Sequence, residues 1–497
     1  MFPITGEKDC RKNTAPKALL SVLLTSLTIF PVAGHTSVIS DTFNDLTTGD
    51  TTTISLINYY KSTEKYTKYK PENIDGIKKQ HEWGQSVGLF YKTGKTRIGE
   101  TPVKASFNLG YGYVFELDTS YPGDVHNWNA GEKIFQSKEC FWTGKEPGTG
   151  QYKCKELEGY GKLPVANMQL NWRDGSMKIG DGFYTVGLIS TADPDDALLS
   201  SYRGIMLKQK YQEYFFDGAY VTGFMAGNDN EMGDLTGNSN YYDINPLTYD
   251  YLYTARVRRK FGLDGGYQIA YGEAKDYLRR YHTDAWYRMK LNPQSSLLMK
   301  AQYYYNHEAG DLWQQELEKG QANFQSYASA LSYEFQLDHD AWSLWYGFTK
   351  INAPLDNPDK NGSFSYGFGN AKGWLKLPTT GGYHGFRRDG TEAMVVGLSY
   401  DFRHLGLKDL KLSYRYHWAD SPIKGKASGD IEYGSEFEHV IEAKYIPKSG
   451  MLKGLNFNFK QSFYRPDDTI AQLTAEDIPN KADKTAIKLI IGYSFNL

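Results

Sequence analysis

Long apolar runs are missing from this 497-residue chain outside its first 34 residues. No interior stretch reaches the length a membrane-spanning helix needs, about 18 apolar residues, so a helical membrane protein is excluded. Charge imbalance is missing too. The 56 Lys and Arg nearly cancel the 58 Asp and Glu, for a net charge of −2, so nothing here selects nucleic acid or a polyacidic partner. Cysteine is scarce, with three in all. Helical spacing, with apolar residues three and four apart, is nearly absent, which excludes a bundle. Catalytic signatures are lacking as well. There is no G-x-S-x-G nucleophile turn. GDGFYTVG (180–187) is followed by no helical pattern and is not a phosphate-binding loop. HDAWSLWYG (339–347) has no metal-ligand spacing, and His282, His307, His384 and His417 stand in no nucleophile motif. No catalytic residue, cofactor or metal site is expected.

Aromatics, in contrast, make up 15% of the chain, with 40 Tyr, and there are 50 Gly. That pairing favours strands and turns. LKLSYRYHW (410–418) shows the arrangement. Leu410, Leu412, Tyr414, Tyr416 and Trp418 alternate with Lys411, Ser413, Arg415 and His417. The same period of two runs through 103–117, 166–173, 251–258, 285–291, 297–305, 455–463 and 487–497. In 251–258, for example, Tyr251, Tyr253, Ala255 and Val257 oppose Leu252, Thr254, Arg256 and Arg258. This is the pattern of half-buried strands.

Such strands could build a sandwich or a propeller, with the polar face wet. Two features argue for the inverse arrangement. The alternating runs extend to roughly 9–15 residues, where globular strands average about 5–6. Tyr and Trp also crowd the ends of the apolar faces, as aromatic girdles do at membrane interfaces. The expected fold is therefore all-β, an antiparallel up-and-down transmembrane barrel with apolar side chains outward and polar ones inward. Only one face of each strand must meet lipid, which accommodates a mean hydropathy of −0.58. Short turns such as LNPQSS alternate with long polar segments at 121–162, 225–248 and 353–390. The chain ends on a strand, IGYSFNL, of the kind recognised by barrel assembly machinery.

The first 34 residues read as a secretory signal peptide. Lys8, Arg11, Lys12 and Lys17 precede ALLSVLLTSLTIF, and small residues follow to Gly34. Residues 35–497 form the barrel domain. Cys10 falls in the leader. Cys140 and Cys154 bracket a Gly/Pro-rich segment of an exported chain and are expected to form a disulfide.

Several strings resemble the OprD family of substrate-specific porins: SLINYY (55–60), HEWGQSVGLFYKTG (81–94), KIGDGFYTVG (178–187), ALLSSYRGIML (197–207) and DFRHLGLKDLKLSYRYHW (401–418). They occur in the family's order across nearly the whole chain. The resemblance implies an 18-stranded barrel, monomeric or trimeric, in the Gram-negative outer membrane, among its lipid and lipopolysaccharide. It implies a loop folded inward as a constriction, and a row of basic side chains on the inner wall. One departure stands out. Where the family carries Arg in the inward loop, this chain has Asp195-Asp196, while the Arg of "YRG" is kept as Arg203. The expected constriction loop carries Tyr184, Asp193, Asp195 and Asp196. The expected basic row is Arg203, by resemblance, with Arg256, Arg258, Arg288, Lys411 and Arg415, by alternation. A porin performs no covalent step. Its selectivity comes from pore width, hydrogen-bonding groups and charge. The expected function is passive diffusion of small polar solutes, amino acids or small carboxylates. A chito-oligosaccharide channel and a soluble β-rich binding protein are the alternatives.

Overall fold

The computed structural model describes residues 49–497, except 67–76, 120–133, 138–139, 143–151, 155–156, 193–195, 238–245, 263, 358–360, 425–430 and 476–482. The expected leader, with Asp193 and Asp195, lies outside the described residues.

Eighteen long strands carry the fold. The first six are β1 (Thr51–Tyr66), β2 (Ile77–Lys92), β3 (Lys104–Thr119), β4 (Tyr160–Trp172), β5 (Gly175–Gly182) and β6 (Ser201–Tyr211). The next six are β7 (Tyr214–Met225), β8 (Leu252–Phe261), β9 (Gly265–Ala274), β10 (Leu278–Asn292), β11 (Ser295–Glu308) and β12 (Tyr327–His339). The last six are β13 (Trp342–Asn352), β14 (Glu392–Asp401), β15 (Leu410–Lys424), β16 (Ile431–Tyr445), β17 (Leu455–Pro466) and β18 (Asp483–Asn496). Each pairs antiparallel with the next. β18 then pairs with β1, from Thr53 opposite Asn496 to Tyr66 opposite Asp483. The sheet is thereby closed, and each of the eighteen strands has a paired neighbour on both sides, so no strand is left as a free edge in lipid.

The connections differ between the two ends. At one end they are tight. The β6–β7 and β12–β13 turns place Gln212 and Asp340 at φ 53° and 49°, the positive values that two-residue hairpins require. At the other end lie the long segments 183–200, 226–251, 309–326 and 353–391. Short turns mark the periplasmic end of such barrels and long loops the outer end.

The alternation works as expected, with the faces inverted relative to a soluble protein. Leu89, Phe107, Ile269, Tyr287, Leu344 and Val396 are all 48–58% exposed, with Phe107 at 49% and Ile269 at 58%. Their neighbours one residue away point inward. Tyr414, Tyr416 and Trp418 of LKLSYRYHW are exposed, while His417 is fully buried on the inner side.

The apolar core is not between sheets. It lies inside the outer half of the barrel, where Tyr184, Leu188, Ile189, Phe364, Phe368 and Leu377 from two loops pack against Tyr202, Leu252 and Tyr304 of the wall. Among the described residues, two short helices lie in the loops at the outer end. α1 (Asp311–Glu318) buries Trp313 against Phe324 and Tyr277, at ring distances of 4.3 and 5.3 Å. α2 (Asp468–Ala475) is preceded by Asp467, which accepts from the Ile470 and Ser435 amides and ties the helix to β16.

Candidate functional site

The β5–β6 loop, residues 183–200, turns into the barrel as the sequence leads one to expect. Tyr184 is its anchor. Fully buried, its hydroxyl donates to the carbonyls of Gly180 (2.5 Å) and Gly204 (2.9 Å). Gly204 sits at a bulge between β6 and β7 with φ +155°, and a Cβ there would lie 2.1 Å from the Tyr220 carbonyl. Beyond Tyr184 the loop forms a two-residue ladder, Thr185–Val186 with Ile189–Ser190. The Gly187 amide donates to Asp217 (2.6 Å) and the Leu188 amide to Thr254 (2.9 Å). Gly187 has φ +54°, and a Cβ would strike Thr254 at 2.2 Å.

A second loop, residues 353–391, also lies inside, and the two loops join. The Ser190 amide donates to the Lys372 carbonyl (3.0 Å), and Ile189 bridges Gly373 as a strand would. The Trp374 indole donates to the Gly187 carbonyl (2.8 Å). The Lys372 ammonium meets Asp196 at 2.5 Å. From that junction the second loop runs along the inner wall. Trp374 covers the Arg256 guanidinium at 4.7 Å. Tyr304 donates to the carbonyls of Trp374 and Leu375 (2.8 and 2.9 Å). The Thr379 carbonyl sits 3.0 Å from His417 Nδ1. Glu438 accepts from the Tyr383 and His384 amides (2.7 and 3.1 Å). Arg388 forks onto Glu436 with two contacts of 2.9 Å. Burial pulls the Arg388 proton affinity down, but the Glu436 carboxylate and Tyr464 more than reverse it and hold the guanidinium above its ordinary value. The Ala353 amide closes the loop onto Asp389 (2.6 Å). The two loops together make an inner collar spanning the wall from β5 to β17.

Within 361–391 a single residue is exposed, Lys376. It follows Leu375, whose φ of +67° is unusual for a branched side chain. The carbonyl hydrogen bond from Tyr304 holds Leu375 in that conformation, and the turn presents the Lys376 ammonium to solvent.

The charges of the lumen wall divide into two regions. On β7–β12 three cations are matched by acids, while Arg258 and Arg280 pack against aromatic rings. Arg256 meets Asp217 at 2.6 Å, Lys300 meets Asp284 at 3.5 Å, and Arg288 meets Asp264 at 2.6 Å and also Asp338. On β15–β18 the balance is basic. Glu442 is surrounded by Lys444 (3.0 Å), Arg415 (3.6 Å) and Lys460 (3.7 Å). The ladder registers set Glu442, Lys460, Lys488 and Lys61 in line across β16, β17, β18 and β1. A cavity of about 300 Å³ opens on this hub, lined by Arg415, Lys411, Lys444, Trp345 and Gln336.

The residues singled out from the sequence therefore part company. Lys411 and Arg415 line the open cavity. Arg256 points inward but is 5% exposed under Trp374. Arg258 packs over Phe215 at 5.2 Å, and Arg288 bridges two acids. Tyr184 is a buried anchor. Asp196 belongs to the Lys372 clasp and also accepts from Ser200 (3.0 Å), so it is a structural acid. Arg203 is a correction. It shares its side of β6 with the exposed Ile205 and Leu207 and forks onto Asp181 at 2.8 and 3.0 Å, so it stands on the outer face of the wall and not in a basic row. The backbone of 140–142 pairs with 152–154 and sets Cys140 directly opposite Cys154.

Sequence reasoning missed the second inward loop. Its signal was legible. FSYGFGNAKGWLKL (364–377) interleaves Gly with aromatics, a composition for close packing and not for a solvated loop.

Comparison with known proteins points one way. The profile of "outer membrane porin, OprD family" matches residues 44–497. Porin D of Pseudomonas aeruginosa is 23% identical over 236 residues, covering 45% of this chain and 48% of that porin, so the alignment spans about half its length. The fold is shared with the crystal structure of P. aeruginosa OccK9 (OpdG), at 17% identity and TM-score 0.69, covering 91% of this chain and 100% of the other. It is shared too with Acinetobacter baumannii OccAB4, at 16% identity and TM-score 0.66, covering 91% and 100%.

Proposed function

Because this chain belongs to the OprD family of outer membrane porins, we propose that it passes small amino acids and carboxylates passively through the gap left by the collar. The observation that carries this reading is the contrast between the two halves of the wall. Cations matched to acids at hydrogen-bond distance attract little else. The hub around Glu442 holds three cations for one carboxylate, and Lys411 lines the same cavity. A solute carboxylate leaving the collar meets that surplus. At an effective dielectric near 20, a unit charge 4 Å away contributes about 4 kcal/mol before screening and desolvation. An Arg such as Arg415 grips a carboxylate with two parallel hydrogen bonds. Glu442 gives the ammonium of a zwitterion something to track, so both ends of an amino acid are guided.

The sugar-channel reading is weaker for a physical reason. Stacking on sugar rings needs open aromatic faces. The inward tyrosines Tyr184, Tyr202 and Tyr304 are 0–1% exposed, with Tyr304 at 1%, because they pin the collar.

Planar-bilayer conductance tests the proposal. Small carboxylates and amino acids are expected to reduce potassium chloride current in a concentration-dependent way, and chito-oligosaccharides to leave it unchanged. Block by the oligosaccharides alone would overturn it.

A further inference from the structure

A second cavity lies on another stretch of the wall, between β1 and β5. It measures about 350 Å³ and is lined by Thr51, Thr53, Lys92, Asn108, Asn167 and Lys178. No carboxylate lines it, and among the described residues none forms a salt bridge with Lys92 or Lys178. Lys208 stands diagonal to Lys178 across the β5–β6 pair, since Ser176 faces Lys208 and Lys178 faces Met206. It adds a third positive charge nearby. The two asparagines are occupied with each other. Asn108 donates to Asn167 (2.8 Å), and Asn167 donates to the Asp181 carbonyl (2.8 Å). They space the lysines apart and do not neutralise them. One side is apolar. Phe90 and Phe183 meet edge to face at 5.8 Å, beside Val165.

Two half-buried ammoniums without a carboxylate, flanking an apolar strip, form a cradle of definite chemistry. A single negative charge would leave one lysine unmatched. Two charges on one atom would leave the apolar strip uncovered. Building on the porin reading above, we propose that this cavity is a binding site for a small aliphatic dicarboxylate. One carboxylate sits on Lys92 and the other on Lys178, with the carbon chain against Phe90 and Phe183. Since Phe183 opens the inward loop, the site lies beside the collar, with a lining that shares no residue with the cavity at the Glu442 hub. A dianion therefore has a waiting place of its own, separate from the track used by zwitterions.

Bilayer recordings on the full-length barrel test this with succinate, using propionate as the singly charged control. Succinate is expected to block current at lower concentration than propionate. Each of Lys92→Gln and Lys178→Gln is expected to weaken succinate block about tenfold, the scale of one charged hydrogen bond. Asn108→Asp, which puts a carboxylate on the cavity while keeping size and polarity, is expected to do the same. Conducting channels in which all three variants block like the parent, or in which propionate blocks as well as succinate, would overturn the dicarboxylate site alone. A folded barrel with no conductance at all would overturn the porin reading, and this site with it.

Discussion

The clasp between the two inward loops invites a double-mutant test. Lys372→Met removes the ammonium but keeps the side-chain length and every backbone contact. The Lys372 carbonyl would still accept from Ser190 and from Tyr202, each at 3.0 Å. What is lost is the 2.5 Å contact to Asp196, a pair whose side chains are 27% and 12% exposed. Breaking a fully buried pair costs about 3–5 kcal/mol, and an exposed pair is worth about 0–1 kcal/mol. This pair sits between, so about 2 kcal/mol is expected. That raises the population of unclasped loops about 30-fold, since each 1.4 kcal/mol is a factor of ten. Asp196→Asn should act in the same direction but more weakly, because it keeps the acceptor for Ser200 and leaves Lys372 partly solvated. The double variant isolates the pair, with a coupling of about 1–2 kcal/mol. Single-channel recording reads the outcome as brief conductance steps whose frequency tracks loop release. Step frequency unchanged in Lys372→Met, or strictly additive in the double variant, would show that the collar holds without the Lys372–Asp196 pair.

Further outcomes follow from the same geometry. Glu442→Gln leaves Arg415, Lys444 and Lys460 without their shared acid and should shift the reversal potential in a salt gradient toward anions; no shift would mean that permeating ions bypass this hub. Ile269→Arg places a charge on the lipid face at mid-strand, where the native side chain is 58% exposed, and should destabilise the barrel by about 2–4 kcal/mol in urea titrations in lipid vesicles; a change under about 0.5 kcal/mol would contradict the outward assignment. Cys140 and Cys154 face each other across a backbone ladder and should be oxidised in the exported protein, with no free thiol at either position. For a closed segment of about 15 residues the bond should contribute about 3 kcal/mol to the local stability of that loop, and alkylation of both thiols under native, non-reducing conditions would refute it.

How far the sequence could be read depends on which period carried the information. Alternation assigns faces, so the barrel, its inverted polarity and the inward direction of Arg256 and Arg415 were all legible in 251–258 and 410–418. Alternation says nothing of what later covers a face. Arg256 and Arg415 look alike in the sequence, yet Trp374 lies over one and a cavity opens on the other. The fate of Asp196 was equally hidden, because its partner Lys372 is 176 residues away. Arg203 is the instructive case. A family motif favoured the pore, whereas its own neighbours Ile205 and Leu207 share its parity and put it outside. The local pattern carried the better information. The inward path of 353–391 could be suspected from its Gly and aromatic content, but its contacts with strands from β6 to β17 could not.

The wall closes only when β18 meets β1, and the clasp forms only when residue 372 meets residue 196. Both are long-range events, late in any route that follows the order of synthesis, and the entropy of closing such spans must be met before either contact stabilises the chain. Sealing the hole in the lipid and narrowing the hole in the protein therefore both wait for chain beyond β13. A version truncated after β13 would have an exposed strand edge and no second loop to narrow its bore. It would be a leak and an aggregation hazard at once, which makes the completeness of the chain a safeguard for the permeability barrier itself.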